Sequence, residues 1–222
     1  MALILNIDTA VETALISISE GENVLAYVTN SNQKDHSAFL QPAIKTLLQQ
    51  TNYTVKEIEA VAVTAGPGSY TGLRVGMASA KGLCYALKIP LLTINTLEMM
   101  ALSSIKQSGN KQALYCPMID ARRMEVYTAV YDSNLSSVVS PTAMIIEANS
   151  FKDLLENPIY FSGSGTFKLK TIIQHSNAKF LENEIAPQAL AILSNRNYSN
   201  KMYADIAYAS PFYLKEFYSN II

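Results

Sequence analysis

One order of predicted elements occurs twice along this chain, and it limits the folds that the chain can adopt. In the first half, the apolar strand LILNID ends at Asp8, and the strand TALISIS follows after a short turn. In the second half, ALYCPMID ends at Asp120, and MEVYTAVYD follows at once. Each half later has a strand that runs into a Gly-x-Gly sequence. The recurrence indicates two similar α/β lobes, with chance recurrence of short cues as the alternative.

The polar stretch KQSGNKQ separates the two halves. We therefore predict a first lobe over residues 1–108 and a second lobe over residues 109–222. Hydrophobic residues make up 49% of the chain and charged residues 16%, which is enough to build a substantial core. The helical patterns of the first lobe are DHSAFLQPAIKTLLQQ, the segment after the glycines, and TLEMMALSSI.

Charge and cysteine usage narrow the class of protein. The 17 Lys and Arg residues face 18 Asp and Glu residues, so the chain lacks a basic nucleic-acid footprint, and a partner would supply most contacts to RNA. No apolar stretch reaches the ~18 residues of a membrane span, and the N-terminus lacks a basic leader. We expect a cytoplasmic protein whose Cys84 and Cys116 are reduced core residues.

The segment TAGPGSYTGLRVGMASAKG holds five of the nine glycines. It is not a P-loop, because no Lys follows the second glycine of a G-x-x-x-x-G-K pattern. It is not a dinucleotide fingerprint either, because Gly66, Gly68 and Gly72 are spaced one residue too widely. Phosphate binding is therefore the lesser hypothesis for these glycines.

Within this segment, Leu73, Gly76, Met77 and Ala80 form one stripe of a predicted helix. A glycine inside a helix costs about 0.5–1 kcal/mol against alanine, so repeated glycine indicates that another backbone approaches closely. That backbone belongs either to the chain's own sheet or to a helix of another protein. The second alternative would use this stripe together with the helix face around Ile44.

Residues for common catalytic chemistry are sparse. His36 is followed one helical turn later by Leu40, so no histidine pair for a metal forms there. No G-x-S-x-G sequence marks a serine nucleophile. Five residues remain as candidates for nucleotide contact: Asp8, Thr9, Asp120, Gly163 and Gly165. The structural alternative is that each aspartate accepts backbone N–H bonds at its own turn.

Several stretches resemble, in order, those of the bacterial TsaB (YeaZ) family. They are ILNIDTAVETALISI, KDHSAFLQPAIKTLL, AVAVTAGPGSYTGLRVGMASAKGL, TINTLEMMA, MIDARRMEVYTAVY and PFYLKE. The resemblance implies an α/β fold of two RNase H-like lobes, as in the actin, hexokinase and Hsp70 ATPase (ASKHA) superfamily. This expectation agrees with the recurrence described above.

The resemblance also implies a function. The family is similar to the catalytic subunit TsaD but is considered non-catalytic, and the H-x-x-x-H metal pair of TsaD corresponds here to His36 and Leu40. Members pair with TsaD, work with the ATPase TsaE, and form homodimers when alone. The complex makes N6-threonylcarbamoyladenosine (t6A) on tRNA. We accordingly expect no metal and no intrinsic cofactor, and a nucleotide at the interface with the partner remains open.

The resemblance assigns partner binding to the faces of two helices. The residues carried over are Leu40, Ile44, Leu47, Leu73, Arg74, Gly76, Met77 and Ala80. Ala10 departs from the family, which often has Ser there, and this weakens a polar ligand contact at that turn. The alternative function is a stand-alone nucleotide-dependent phosphotransferase or acyltransferase. A hydrolase is disfavoured, because the sequence offers neither a metal pair nor a nucleophile with its base.

Overall fold

A computed structural model describes residues 1–32, 35–182 and 187–215. The described residues form two compact units, one from 1–32 and 35–103 with 187–211 and the other from 104–182 with 212–215. Among the described residues, no helix is both long and apolar enough to cross a membrane.

The first unit contains a five-stranded sheet. Its strands are β1 (Leu3–Asp8), β2 (Ala14–Glu20), β3 (Asn23–Asn30), β4 (Ala60–Gly66) and β5 (Leu91–Asn95). They lie in the order β3-β2-β1-β4-β5. Strands β1 to β3 are antiparallel neighbours, whereas β4 pairs parallel to β1 and β5 pairs parallel to β4. Three α-helices precede β6 in the described part of the chain: α1 (His36–Thr51), α2 (Tyr70–Leu87) and α3 (Thr96–Ser108).

The second unit repeats this strand order. Its strands are β6 (Leu114–Asp120), β7 (Glu125–Tyr131), β8 (Ser137–Ile145), β9 (Ile159–Ser162) and β10 (Ala178–Phe180). They lie in the order β10-β9-β6-β7-β8, again with three antiparallel strands followed by two parallel ones. Helix α4 (Thr166–Lys170) packs against β6. The predicted two-lobed α/β fold is confirmed.

The last helix, α5 (Pro187–Ser199), differs from the predicted assignment of residues 109–222 to one lobe, because it lies with the first unit. It packs against β1, β2, β3 and β5. The Asn197 side chain donates a hydrogen bond to the Thr93 carbonyl at 3.2 Å, and the Ala204 N–H donates to the Leu91 carbonyl at 2.8 Å. These bonds to β5 hold the C-terminal segment on the first sheet.

The glycines of α2 allow the helix to lie against the end of β1. A Cβ on Gly72 would stand 1.9 Å from the carbonyl oxygen of Thr9, and a Cβ on Gly76 would stand 2.5 Å from the Thr9 hydroxyl oxygen. The Ser69 N–H donates to the Ala10 carbonyl at 2.7 Å. The close backbone approach that the sequence predicted is therefore made to the chain's own first strand.

Gly72→Ala is expected to lower the free energy of unfolding by about 2–3 kcal/mol, because backbone atoms cannot yield to the new methyl group. The matched control is Gly82→Ala in the same helix, where a Cβ meets nothing within 4 Å. This control should raise the free energy of unfolding by about 0.5–1 kcal/mol. Urea denaturation measures both, and equal effects of the two variants would contradict the close approach.

Candidate functional site

The stripe predicted to bind a partner is buried inside the first unit. Seven of its eight residues are buried, and only Arg74 is exposed; the seven are Leu40, Ile44, Leu47, Leu73, Gly76, Met77 and Ala80. All of them but Leu73 pack among strand residues such as Ile7 and Val63. The reason is ordinary amphipathicity, since the faces of α1 and α2 with the largest apolar side chains cover the chain's own sheet. The structure thus matches the own-sheet alternative for this stripe.

The opposite faces of the same two helices are exposed. The Gln41 side-chain amide of α1 donates to the Ser79 hydroxyl of α2 at 3.5 Å, so the two helices are neighbours. The residues near this contact are mostly small, and all are exposed except the half-buried Ser79. We call them the helix-pair face: Ala38, Gln41 and Pro42 of α1 with Ala78, Ser79 and Gly82 of α2. At one end of α2, the Arg74 guanidinium lies over the Tyr70 ring at 3.8 Å.

Asp8 is buried at the end of β1, with 2% of its surface exposed. Its Oδ1 accepts the Ala10 N–H at 3.0 Å and the Thr64 hydroxyl at 2.7 Å. Burial raises the pKa of this carboxyl, while the two hydrogen bonds and the charge of His36 oppose the rise. The predicted structural role of Asp8, as acceptor of a backbone N–H at its own turn, is present.

Thr9 is fully buried beside Asp8, and α2 occupies the space next to it. Its hydroxyl donates to the Gly72 carbonyl at 2.7 Å. The backbone amides of Ala10 and Ser69 are already bonded within this turn. A phosphate needs free amides at such a turn, so these two groups do not provide a phosphate cradle.

Of the two positions that correspond to the TsaD metal pair, His36 and Leu40, only His36 carries a side chain that could bind a metal. It is 3% exposed, and within the described part of the chain neither ring nitrogen has a hydrogen-bond partner. Leu40, one turn later, is 1% exposed in the hydrophobic core. Among residues 1–32, 35–182 and 187–215, no group of three or more His, Cys, Asp or Glu side chains could hold a metal ion.

Asp120 ends the first strand of the second sheet, as Asp8 does in the first sheet, and it forms an ion pair with a lysine. The Lys168 ammonium forms an ion pair with Asp120 Oδ1 and donates to the Glu125 carbonyl at 2.7 Å. Lys168 is 5% exposed. Partial burial would raise the pKa of Asp120, but the Lys168 hydrogen bond, the Arg122 N–H and the charges of Lys168 and Arg122 lower it. An aspartate whose charge is already balanced in this way is a poor ligand for Mg²⁺.

The Gly163–Gly165 turn packs against β6, the strand that ends at Asp120. Gly163 has a φ of +97°, and the Gly165 N–H donates to the Met118 carbonyl at 3.0 Å. A Cβ on Gly165 would stand 2.8 Å from Val126 Cγ1, so this glycine serves close packing. Sequence reasoning missed Lys168, because its spacing from Asp120 gives no signal until β6 and α4 are placed together.

The two cysteines are free and buried, as expected for reduced core residues. Burial raises the pKa of Cys84 to about 11 and that of Cys116 to about 12. Cys84 donates to the Pro90 carbonyl, and Cys116 contacts the Thr128 hydroxyl at 3.2 Å. Neither thiol forms the thiolate that a nucleophile requires near neutral pH.

A family model and several relatives that match this chain are all named for threonylcarbamoyl modification of tRNA. The model of the family described as "TsaD: tRNA N6-adenosine threonylcarbamoyltransferase" matches residues 23–220. A Bacillus subtilis protein named "tRNA threonylcarbamoyladenosine biosynthesis protein TsaB" is 33% identical over 175 residues, covering 77% of this chain and 75% of that protein. A protein of the same name from Buchnera aphidicola is 27% identical over 207 residues, covering 89% and 92%.

Solved structures share the fold. The structure "YeaZ from Pseudomonas aeruginosa" has a TM-score of 0.83 at 22% identity, covering 96% of this chain and 100% of that one. The ethanolamine utilization protein EutJ from Carboxydothermus hydrogenoformans has a TM-score of 0.53 at 8% identity, covering 87% and 90%. At these identities the likeness concerns the fold alone.

Asp8→Asn is expected to stabilise the chain at neutral pH. Because the fold raises the pKa of Asp8 above its ordinary value of 3.8, the unfolded state ionises first as the pH rises. The free energy of unfolding therefore falls as the pH rises from 3.8 to the pKa of Asp8 in the folded state, and the loss stays constant at higher pH. Asparagine does not ionise and still offers Oδ1 to both donors.

Thermal unfolding between about pH 3 and 8 measures this effect. The melting temperature of the variant should exceed that of the wild type at neutral pH, and the difference should shrink in acid. The matched control is Asp153→Asn, which alters an exposed carboxylate. A variant less stable than the wild type at pH 7 would show that the charged form of Asp8 is the one the fold requires.

Proposed function

The chain belongs to the TsaB/YeaZ family, and from this premise we propose that it is a non-catalytic subunit of the machinery that makes t6A on tRNA. Its curated relatives are named for the biosynthesis of this nucleoside, which supports the pathway. The proposed partners are a TsaD-like catalytic subunit and a TsaE-like ATPase. In this proposal the chain works in the cytoplasm and reaches tRNA only within the complex.

The observation that carries the non-catalytic role is the buried Lys168 at Asp120. A phosphotransferase of this fold would need carboxylates at the strand ends to hold Mg²⁺. Here the carboxylate of Asp120 is balanced by the chain's own ammonium group, and Asp8 is buried and hydrogen-bonded within its own unit. The same observation argues against the alternative of a stand-alone phosphotransferase or acyltransferase.

The helix-pair face is the proposed surface for the catalytic subunit. Small side chains such as Ala78 and Gly82 let another helix approach closely, and few charged groups would have to lose water there. The buried stripe of α1 and α2 supports this surface from inside, because it fixes both helices on the sheet. When the catalytic subunit is absent, the same face would pair two copies of this chain.

Gly82→Glu is expected to weaken assembly with the TsaD-like subunit at least tenfold, because a long charged side chain would enter the helix contact. A Cβ at Gly82 meets nothing within 4 Å, so the monomer should stay folded. Sedimentation of mixtures measures assembly, and the formation of t6A on tRNA by the mixture measures activity; both should fall together.

The matched control is Gln107→Glu, which adds the same charge at an exposed position of α3. It should leave assembly and t6A formation unchanged. Full assembly of the Gly82→Glu variant would place the interface elsewhere. Formation of t6A by the catalytic subunit at an equal rate without this chain would contradict the proposed function as a whole.

A further inference from the structure

The hairpin between β6 and β7 presents two arginines at its tip. The Ala121 N–H donates to the Glu125 carbonyl at 3.1 Å, which leaves a three-residue loop, residues 122–124, that we call the arginine loop. The Asp120 carboxylate accepts the Arg122 N–H at 2.7 Å and fixes the start of the loop. Both arginines are exposed.

The backbone of the loop is unfavourable for arginine. Arg122 has a φ of +68° and Arg123 a φ of +50°, in the left-handed region that Gly and Asn enter most readily. Stability alone would therefore favour other residues at these two positions. Outliers of this kind gather where a side chain is held for a purpose other than stability.

The guanidinium groups of the arginine loop make no direct polar contact. Among the described residues, neither group forms a hydrogen bond or an ion pair, although the charge of Arg122 acts on Asp120 through space. The two acids that flank the loop in the sequence are already paired, Asp120 with Lys168 and Glu125 with Lys215. Arg122 and Arg123 are also the only adjacent basic residues in the sequence.

An exposed aromatic ring, that of Phe167, lies 5.7 Å from the Lys168 ammonium, which contacts the base of this hairpin. The Lys168 ammonium donates to the Glu125 carbonyl, so α4 is fixed at the base of this hairpin. Phe167, the preceding residue of α4, is 56% exposed. Unpaired arginines together with an exposed aromatic ring are the elements with which proteins hold a phosphodiester backbone and stack on its bases.

We infer that the arginine loop contacts phosphodiesters of the RNA substrate. The inference rests on the proposed function, since that function supplies a tRNA to the complex. Two guanidinium groups free of carboxylates suit phosphate oxygens, which accept paired N–H donors. The near-neutral net charge of the chain, −1, limits this subunit to a few such contacts, and the arginine loop is where they concentrate.

The test is the affinity of the assembled complex for tRNA, measured by filter binding over about 0.05–0.3 M salt. The variant is Arg122→Asn with Arg123→Gly, which places residues suited to positive φ in the loop and removes both charges. The matched control is Lys106→Gln with Lys111→Gln, which removes the same charge. Both lysines are exposed and precede the first residue of β6, whereas the arginine loop follows its last residue.

The loop variant should bind tRNA roughly tenfold more weakly at 0.1 M salt, and the slope of log affinity against log salt should become shallower by about 1.5. Its melting temperature should equal or exceed that of the wild type, and the control should keep the wild-type slope. A wild-type slope in the loop variant, or an equal change in the control, would overturn the inference.

Two further outcomes separate this inference from its premise. If the loop variant binds tRNA normally but no longer assembles with a protein subunit, the loop contacts protein and the inference fails. If the wild-type chain does not assemble with the catalytic subunit at all, the proposed function fails. In that case the inference survives only if the isolated wild-type chain binds tRNA with the predicted difference from the loop variant.

Discussion

The contact between α2 and the end of β1 is the constraint on which the first unit depends. Gly72 and Gly76 bring the helix backbone onto Thr9, whose hydroxyl bonds to the Gly72 carbonyl. The contact fixes α2 on the sheet and occupies the Ser69 amide, while the buried Asp8 occupies the Ala10 amide, so neither amide is left for a ligand. It also decides which face of α2 remains available, because the stripe that packs inward cannot also meet a partner.

The second unit reaches a comparable result by other means. Its strand-end aspartate, Asp120, stays partly exposed, but the buried ammonium of Lys168 balances it. Each lobe thus keeps the same strand order, and the aspartate at the end of its first strand is bound by groups of its own unit. The exposed surfaces that we propose for binding other molecules are the helix-pair face of the first unit and the arginine loop of the second. This division suits a subunit that positions partners and leaves the chemistry to them.

The sequence predicted the fold well, because strand patterns, Asp-ended strands and glycine turns are local signals that occurred twice in the same order. It predicted correctly that the glycines permit a close approach, but it could not say to what. Helical spacing groups Leu73, Gly76 and Ala80 on one face without showing whether that face turns inward. The pairing of Lys168 with Asp120, 48 residues apart, and the left-handed backbone of Arg122 depend on tertiary structure, and no local pattern encodes them.

The most direct test of a non-catalytic, partner-dependent subunit is calorimetric titration of the isolated wild-type chain with Mg-ATP. Because Lys168 balances Asp120 and the turn at Thr9 is filled by α2, we expect no binding heat at nucleotide concentrations up to about 1 mM, a Kd that corresponds to only about −4 kcal/mol. One-to-one binding of Mg-ATP that is lost on Asp120→Asn would contradict this account, since it would show that the second-unit carboxylate serves a nucleotide and its metal.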